Sequence, residues 1–130
     1  MKKAMVVDDS LVMRINLKKI FEKQGYQIVA EAANGQEAVE KYGKFRPDVV
    51  TMDITMPVMD GIAALTAIRA MDEAACIIMI SALGQEMKII EAMDCGARHY
   101  ITKPFREQDV VATIESIFGG GDAAEEYAYA

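Results

Sequence analysis

The sequence has few cysteines, a shortage of positive charge and no long apolar run. Cys76 and Cys95 are its two cysteines, and their separation matches no metal-binding pattern. The net charge of -6 and the pI of about 4.8 describe an acidic surface, which repels phosphate backbones and argues against nucleic acid as a direct partner. No apolar run is long enough to cross a bilayer or to form the core of a signal peptide. We therefore expect a cytoplasmic protein, without a membrane segment, whose thiols stay reduced.

The apolar residues, 52% of the 130, are enough for the core of a single domain. Short apolar runs alternate with longer segments in which apolar residues recur at helical spacing. The short runs cover residues 4–8, 26–32, 48–53, 76–81 and 99–102. This alternation predicts an α/β fold, a parallel sheet with helices on both faces and right-handed crossovers. The second run is more polar and alternates, which predicts an edge strand.

Two further features complete the expected organisation. Met87, Ile90 and Met93 mark the fourth helix, and we expect most of the ten methionines to fill the core. The domain is expected to span residues 1–118. The Gly-rich acidic segment 119–130, "GGGDAAEEYAYA", is expected to be a disordered tail, with a docking peptide as the alternative.

Polar residues stand where four of the predicted strands end. In a parallel sheet the carboxyl ends of the strands share one edge, and ligands bind there at the point where strand order reverses. We therefore expect these residues to meet in one pocket. They are Asp8 and Asp9 after the first strand, Asp53 at the end of the third, Ser81 at the end of the fourth, and Lys103-Pro104 after the fifth.

Three carboxylates placed together repel one another, so the site requires either a proton or a cation. Carboxylate and carbonyl oxygens are hard ligands that suit Mg²⁺, which often shares its site with a phosphate. Lys103 adds a positive charge and Ser81 a hydroxyl donor. The set predicts a place for a phosphoryl group, with an aspartate as a possible nucleophile that forms an acyl phosphate.

Each of these residues also has an ordinary structural explanation. Asp8 and Asp9 could cap the first helix, and Asp53 could be a turn residue at the end of a strand. Lys103 and Pro104 could be an exposed lysine before a turn. The functional interpretation is favoured because all of them occur together, each at the end of a different strand.

The motifs "VVDDS", "TMDITMPVMDG", "ISA" and "TKPF", in this order, resemble those of response-regulator receiver domains. The resemblance extends from Ala4 to Phe118. The absence of an output domain in this sequence, and Tyr100 three residues before Lys103, make it similar to the stand-alone chemotaxis members of that family. The resemblance implies a doubly wound, flavodoxin-like fold with the strand order 2-1-3-4-5.

The resemblance also implies roles for the residues at the strand ends. Asp53 would accept a phosphoryl group from the phosphohistidine of a sensor histidine kinase. Asp9 would bind Mg²⁺ directly and Asp8 chiefly through water, with the Thr55 backbone carbonyl as a further ligand. Lys103 would pair with Asp53 and then with the phosphoryl oxygens.

Other implied roles concern the response to phosphorylation. Ser81 would bond to the phosphoryl group, Pro104 would follow a cis peptide bond, and Tyr100 would turn inward as an aromatic switch. Thr55 and Leu83 would tune the lifetime of the phosphoryl group, so Leu83→Ala should alter its decay rate. The output would be a monomer binding the flagellar motor switch, or another target, through the fourth helix, fifth strand and fifth helix. A phosphatase is a further possible partner.

Three other functions compete with this one. A phosphorelay intermediate would pass its phosphoryl group to a histidine phosphotransferase, and the sequence leaves this alternative open. A metal-dependent phosphatase would need an acid-base carboxylate two residues after the nucleophile, where this chain has Thr55. A DNA-binding regulator would need a helix-turn-helix, which nothing after Phe118 could form.

Overall fold

The computed structural model of the protein describes residues 1–119. Five strands and five helices alternate along this part of the chain, as the sequence pattern predicts. The elements are β1 (Lys3–Val7), α1 (Leu11–Lys23), β2 (Gln27–Ala32), α2 (Gly35–Phe45), β3 (Val49–Asp53), α3 (Gly61–Met71), β4 (Ile77–Ser81), α4 (Glu86–Asp94), β5 (His99–Thr102) and α5 (Glu107–Phe118). The predicted tail at 119–130 lies, apart from Gly119, outside the described residues.

The strands form one parallel sheet in the order β2-β1-β3-β4-β5. This confirms the fold class and the strand order that the resemblance implied, and it confirms β2 as an edge strand. Because the order reverses beside β1, the crevice between the ends of β1 and β3 is where a doubly wound sheet binds its ligand. No helix within residues 1–119 is long and apolar enough to cross a membrane.

Alternate side chains of the central strands enter two separate apolar clusters, one on each face of the sheet. On β3, Val50 and Met52 join the cluster formed with α2 and α3, which includes Leu65 and Ile68. Val49 joins the cluster formed with α1 and α5. All five residues of β3 are buried. The strand that ends in Asp53 is therefore enclosed along its whole length, as is β4, which ends in Ser81.

The helices that follow β1, β2 and β3 begin at side-chain caps. Ser10, Asn34 and Asp60 each accept a hydrogen bond from the backbone N–H three residues on. These caps fix where each helix starts relative to the strand before it. The loop that carries Asp8 and the loop that follows Asp53 are thus anchored at both ends.

The expectation that most methionines fill the core is only partly right. Met5, Met52, Met56 and Met79 are buried, whereas Met71, Met87 and Met93 are exposed. Among the residues that the structure describes, α4 has nine, and Ala92 is the one that is buried. The apolar stripe that correctly predicted this helix faces solvent. Helical periodicity shows that a helix has an apolar face, but it does not show what covers that face.

Candidate functional site

The carboxylates of Asp8, Asp9 and Asp53 meet at the carboxyl edge of the sheet. One oxygen from each lies within 4.8 Å of the others. Asp8 directly follows β1 and is buried, Asp53 is the last residue of β3 and is also buried, and Asp9 is exposed. The sequence placed these residues at strand ends, and the strand order brings them into one cluster.

Asp8 is held on every side by hydrogen bonds. Its backbone N–H donates to the Ala32 carbonyl over 3.0 Å, and its Oδ1 accepts from the Ser10 N–H over 2.8 Å. Its backbone carbonyl accepts from Arg14 Nη1 over 2.7 Å, and its Oδ2 from Lys103 Nζ over 3.1 Å. Such a fixed carboxylate can position a ligand without rearranging.

Lys103 lies between the two buried carboxylates. Its Nζ is 3.1 Å from Asp8 Oδ2 and 3.7 Å from Asp53 Oδ1, so Asp8 is the nearer partner in this structure. Its backbone N–H donates to the Ser81 carbonyl over 2.7 Å, and its peptide bond to Pro104 is cis. One ammonium group thus offsets part of the charge of three carboxylates.

The pKa of Asp53 is raised from its usual value near 3.8 to about 6. Burial is the main cause, since it penalises the charged form, and the negative charge of Asp8 adds to it. The Lys103 ammonium opposes the shift, and Asp9 reinforces it. The cluster therefore carries more negative charge than its surroundings compensate.

Mg²⁺ fits this site on its chemistry. Three carboxylates supply hard oxygen ligands, and a divalent cation relieves the repulsion that raises the pKa of Asp53. Asp9 is exposed and so can reach a hydrated ion, while Asp8 and Asp53 line the buried side. The chain is thus built for a magnesium cofactor at this edge.

The turn after Asp53 depends on Gly61 at the start of α3. A side chain at this position would collide with the backbone carbonyl of Asp53, and the Gly61 N–H donates to the Ile54 carbonyl over 2.7 Å. The Asp60 side chain caps the helix through the Ala63 N–H over 2.8 Å. Strand β3 and helix α3 are therefore in direct backbone contact.

The loop after β4 carries the second half of the site. Ser81 is fully buried at the end of the strand, and its hydroxyl shares a hydrogen bond of 3.3 Å with the Thr102 hydroxyl. Gln85 spans the two loops, since its Oε1 accepts from the Ala82 N–H over 2.6 Å and its Nε2 donates to Thr55 Oγ1 over 2.8 Å.

The expected aromatic switch, Tyr100, and the expected lifetime-tuning residue, Leu83, both lie at the surface. The Tyr100 side chain on β5 is 44% exposed, and Leu83 in the loop before α4 is 77% exposed. In this structure the tyrosine thus stands outward, the position from which an inward turn would begin. Leu83 is free to contact solvent or a partner.

Two residues that contact the site escaped the sequence analysis. Arg14 could have been found, because it lies one turn into the helix that follows Asp8, and it also pairs with Glu31 through its Nε over 2.8 Å. Gln85 had no distinguishing signal, since a glutamine between a strand and a helix is ordinary. Its importance comes from the distance between two loops, which the sequence does not record.

Comparison with known proteins yields consistent results. The family model for the response regulator receiver domain matches residues 4–115. The chain is 51% identical over 110 residues to the chemotaxis protein CheY of Bacillus subtilis, covering 85% of this chain and 92% of that protein. It is 48% identical over 116 residues to CheY of Thermotoga maritima, covering 89% and 97%.

A solved structure agrees with these sequence matches. A CheX–CheY–BeF₃–Mg complex from Borrelia burgdorferi contains a chain that superimposes with a TM-score of 0.86 at 41% identity, covering 90% of this chain and 89% of that one. That complex contains magnesium together with beryllofluoride. The match to the family model, the identities and the shared strand order agree, and this chain belongs to the response regulator receiver domain family, whose members are phosphoacceptor switches.

Proposed function

We propose that this protein is a chemotaxis response regulator in which Asp53 accepts a phosphoryl group and thereby changes binding to a protein target. The observation that carries the proposal is the position of the Asp53 carboxylate. It is buried beside two other carboxylates and 3.7 Å from the Lys103 ammonium. The names of the relatives supply the chemotaxis part of the proposal.

The reaction is a transfer between two side chains. An Asp53 oxygen attacks the phosphorus of a phosphohistidine, a P–O bond forms, the P–N bond breaks, and the departing imidazole takes up a proton. Lys103 then stabilises charge on the transferred oxygens, because its Nζ already lies beside Asp53. Magnesium, held by Asp8, Asp9, Asp53 and the Thr55 carbonyl, would neutralise phosphoryl charge.

The chain is a switch rather than an enzyme with an external substrate, since its family consists of phosphoacceptor switches. The position that a phosphatase of the aspartyl class would fill with a carboxylate holds Thr55. We assign Thr55 and Leu83 to control of the phosphoryl lifetime. Leu83→Ala should change the decay rate of the phosphorylated protein, and an unchanged rate would remove that assignment.

The signal would spread from Ser81. Phosphorylation adds about -1.5 to -2 of charge and three acceptor oxygens, which gives the Ser81 hydroxyl a partner stronger than Thr102. If Ser81 shifts toward Asp53, Tyr100 can turn inward from its exposed position. A differential stabilisation of a few kcal/mol is enough to reverse the populations of two states.

The proposed target surface comprises α4, β5 and α5. Met87, Ile90, Met93 and Tyr100 are exposed there, so apolar contact area is available. We propose a sensor histidine kinase as the phosphoryl donor, the flagellar motor switch as the target and a phosphatase as a further partner. Residues 1–118 would act as the receiver unit, as a monomer in the cytoplasm, where such donors and targets meet.

The acceptor assignment can be tested with acetyl phosphate and Mg²⁺. The wild-type protein should gain one phosphoryl group, Asp53→Asn should gain none, and a chelator should abolish the reaction. Asp94→Asn on α4 is a matched control, because Asp94 is an exposed aspartate of that helix. Labelling of Asp53→Asn at the wild-type level would contradict the assignment.

The partner assignment needs a separate experiment, because a phosphorelay intermediate would have the same acceptor. The phosphorylated protein should bind an immobilised motor-switch protein more tightly than the unphosphorylated protein does. Transfer of its phosphoryl group to a histidine phosphotransferase, without binding to the motor switch, would instead establish the relay function.

A further inference from the structure

Gln85 joins the two loops that flank the proposed phosphoryl acceptor. Residues 54–60 leave the end of β3, and residues 82–85 leave the end of the neighbouring β4. The side-chain amide of Gln85 accepts from the Ala82 N–H over 2.6 Å and donates to the Thr55 hydroxyl over 2.8 Å. A single neutral side chain therefore links these loops.

We infer that Gln85 is a positioning residue that holds the two loops in the unphosphorylated arrangement and must release them when Asp53 is phosphorylated. The inference rests on the proposed function. Gln85 thereby opposes phosphorylation, and the resting state of the switch is maintained by a hydrogen-bonded latch as well as by the absence of a phosphoryl group.

The backbone donor that follows β4 is already in use. Ser81 shares a hydrogen bond with Thr102, and the next backbone donor, the Ala82 N–H, is bonded to Gln85. A phosphoryl group on Asp53 brings three acceptor oxygens to the same sheet edge. Recruiting the Ala82 N–H breaks its bond to Gln85 Oε1, so the latch competes with the phosphoryl group for this donor.

The backbone around the latch also supports this inference. Gln85 stands directly before α4, and its side chain points back to the loop instead of into the helix. Gly84 beside it has a φ of +85°, and no atom lies within 4 Å of where its Cβ would be. The segment has room to move once the latch opens, whereas Gly61, the first residue of α3, is tightly enclosed.

The test compares the binding of beryllofluoride, a phosphoryl analogue, to variants in the presence of Mg²⁺. Gln85→Met keeps the size of the side chain and removes both hydrogen bonds, and Thr55→Val removes one of them. Since a net hydrogen bond contributes about 0.5–1.5 kcal/mol, Gln85→Met should bind beryllofluoride about three- to tenfold more tightly, with a smaller gain for Thr55→Val. The double variant should resemble Gln85→Met, because both changes break the same link.

Gln36→Ala is the matched control, since Gln36 is an exposed glutamine on α2 whose side chain hydrogen-bonds only to Glu40 among the described residues, over 3.5 Å. Its affinity should equal that of the wild type. Amide exchange provides a second readout that a general loss of stability would not reproduce. The Ala82 N–H of Gln85→Met should exchange faster without ligand, while the amides of β3 keep their protection.

The outcomes separate the latch from the proposed function. Equal or weaker beryllofluoride binding by Gln85→Met, with wild-type binding intact, would overturn the latch and leave the acceptor assignment standing. A wild-type protein that binds neither Mg²⁺ nor beryllofluoride would overturn the proposed function. Tighter binding with faster Ala82 exchange is the result that supports both.

Discussion

Helices α3 and α4 follow neighbouring strands of the sheet, yet they are held in opposite ways. α3 buries Ile62, Ala64, Leu65 and Ile68, and its first residue touches the backbone of Asp53. α4 exposes Met87, Ile90 and Met93 and begins at a residue whose side chain reaches back to the loops. The helix that contacts Asp53, the proposed acceptor, is thus packed into the core, and the next one is more exposed.

This difference shows how a small domain can combine a precise site with a movable output. A phosphoryl acceptor needs a rigid backbone, which the buried β3 and the close contact at Gly61 provide. An output surface needs an element with low local stability, because the free energy of one phosphoryl group must shift it. The following predictions test whether this division is real.

The largest expected effect is on folding stability. Leu65→Ala should lower the free energy of unfolding by about 2–5 kcal/mol, because a fully buried side chain leaves a cavity. Ile90→Ala, where the side chain is 55% exposed, should cost less than about 1 kcal/mol. Urea denaturation of both variants measures the contrast, and equal losses would contradict the difference between the two helices.

The second effect is a dependence of folding stability on pH that arises from Asp53. Because burial and Asp8 raise the pKa of Asp53 from 3.8 to about 6, the folded state favours the protonated form, and its stability falls as the pH rises through this range. The free energy of unfolding of Asp53→Asn should therefore exceed that of the wild type by on the order of 2–3 kcal/mol at pH 7.5 without Mg²⁺. The gain should vanish near pH 4.

Thermal or urea unfolding across pH 4 to about 8 checks this prediction. Asp94→Asn on α4 should change stability little at any pH in the range. Mg²⁺ should stabilise the wild type more than Asp53→Asn. A stability difference that is the same at every pH would mean that the Asp53 charge is not its cause.

The third effect concerns two glycines at the starts of these helices, Gly61 as the first residue of α3 and Gly84 in the loop before α4. Gly61→Ala should cost about 1–3 kcal/mol and slow labelling by acetyl phosphate, because the new methyl group pushes against the Asp53 carbonyl. Gly84→Asn should cost less than about 1 kcal/mol, because asparagine tolerates the positive φ and the surrounding space is open. A larger loss of stability for Gly84→Asn than for Gly61→Ala would contradict the assignment of the loop after β3 as rigid and the loop after β4 as movable.

The smallest effect on stability is expected for a substitution on the exposed face of α4. Ile90→Glu should change the free energy of unfolding by less than about 0.5 kcal/mol and leave phosphorylation by acetyl phosphate intact. It should weaken binding of the phosphorylated protein to its target about tenfold or more, since apolar anchors dominate such contacts. Surface plasmon resonance against the motor-switch protein measures this affinity. Unchanged binding would contradict the assignment of the target surface to α4.

The sequence predicted the fold and the content of the site because strand ends are visible in the pattern of apolar runs. Asp53 and Ser81 are the last residues of β3 and β4, as the runs at 48–53 and 76–81 implied. A parallel sheet then places such residues at one edge whatever the rest of the chain does. The topology of a parallel sheet thus made it possible to predict a shared site from residues that are far apart in the sequence.

The sequence could not predict distances between side chains or what covers an apolar face. Lys103 lies nearer to Asp8 than to its expected partner Asp53, because the position of a long side chain is set by local packing. The stripe that contains Ile90 marks a helix equally well whether it faces the core or solvent. The link made by Gln85 depends on how closely two loops approach, which no periodicity records.

The most direct test of the account is hydrogen exchange with and without Mg²⁺ and beryllofluoride. The account predicts that binding at Asp53 changes exchange in residues 82–94 and in β5, while the exchange of Gly61–Met71 stays as it was. Gln85→Met should show part of the change in residues 82–85 before any ligand is added. An equal change in α3, or no change in α4, would contradict the claim that one helix holds the site and its neighbour reports it.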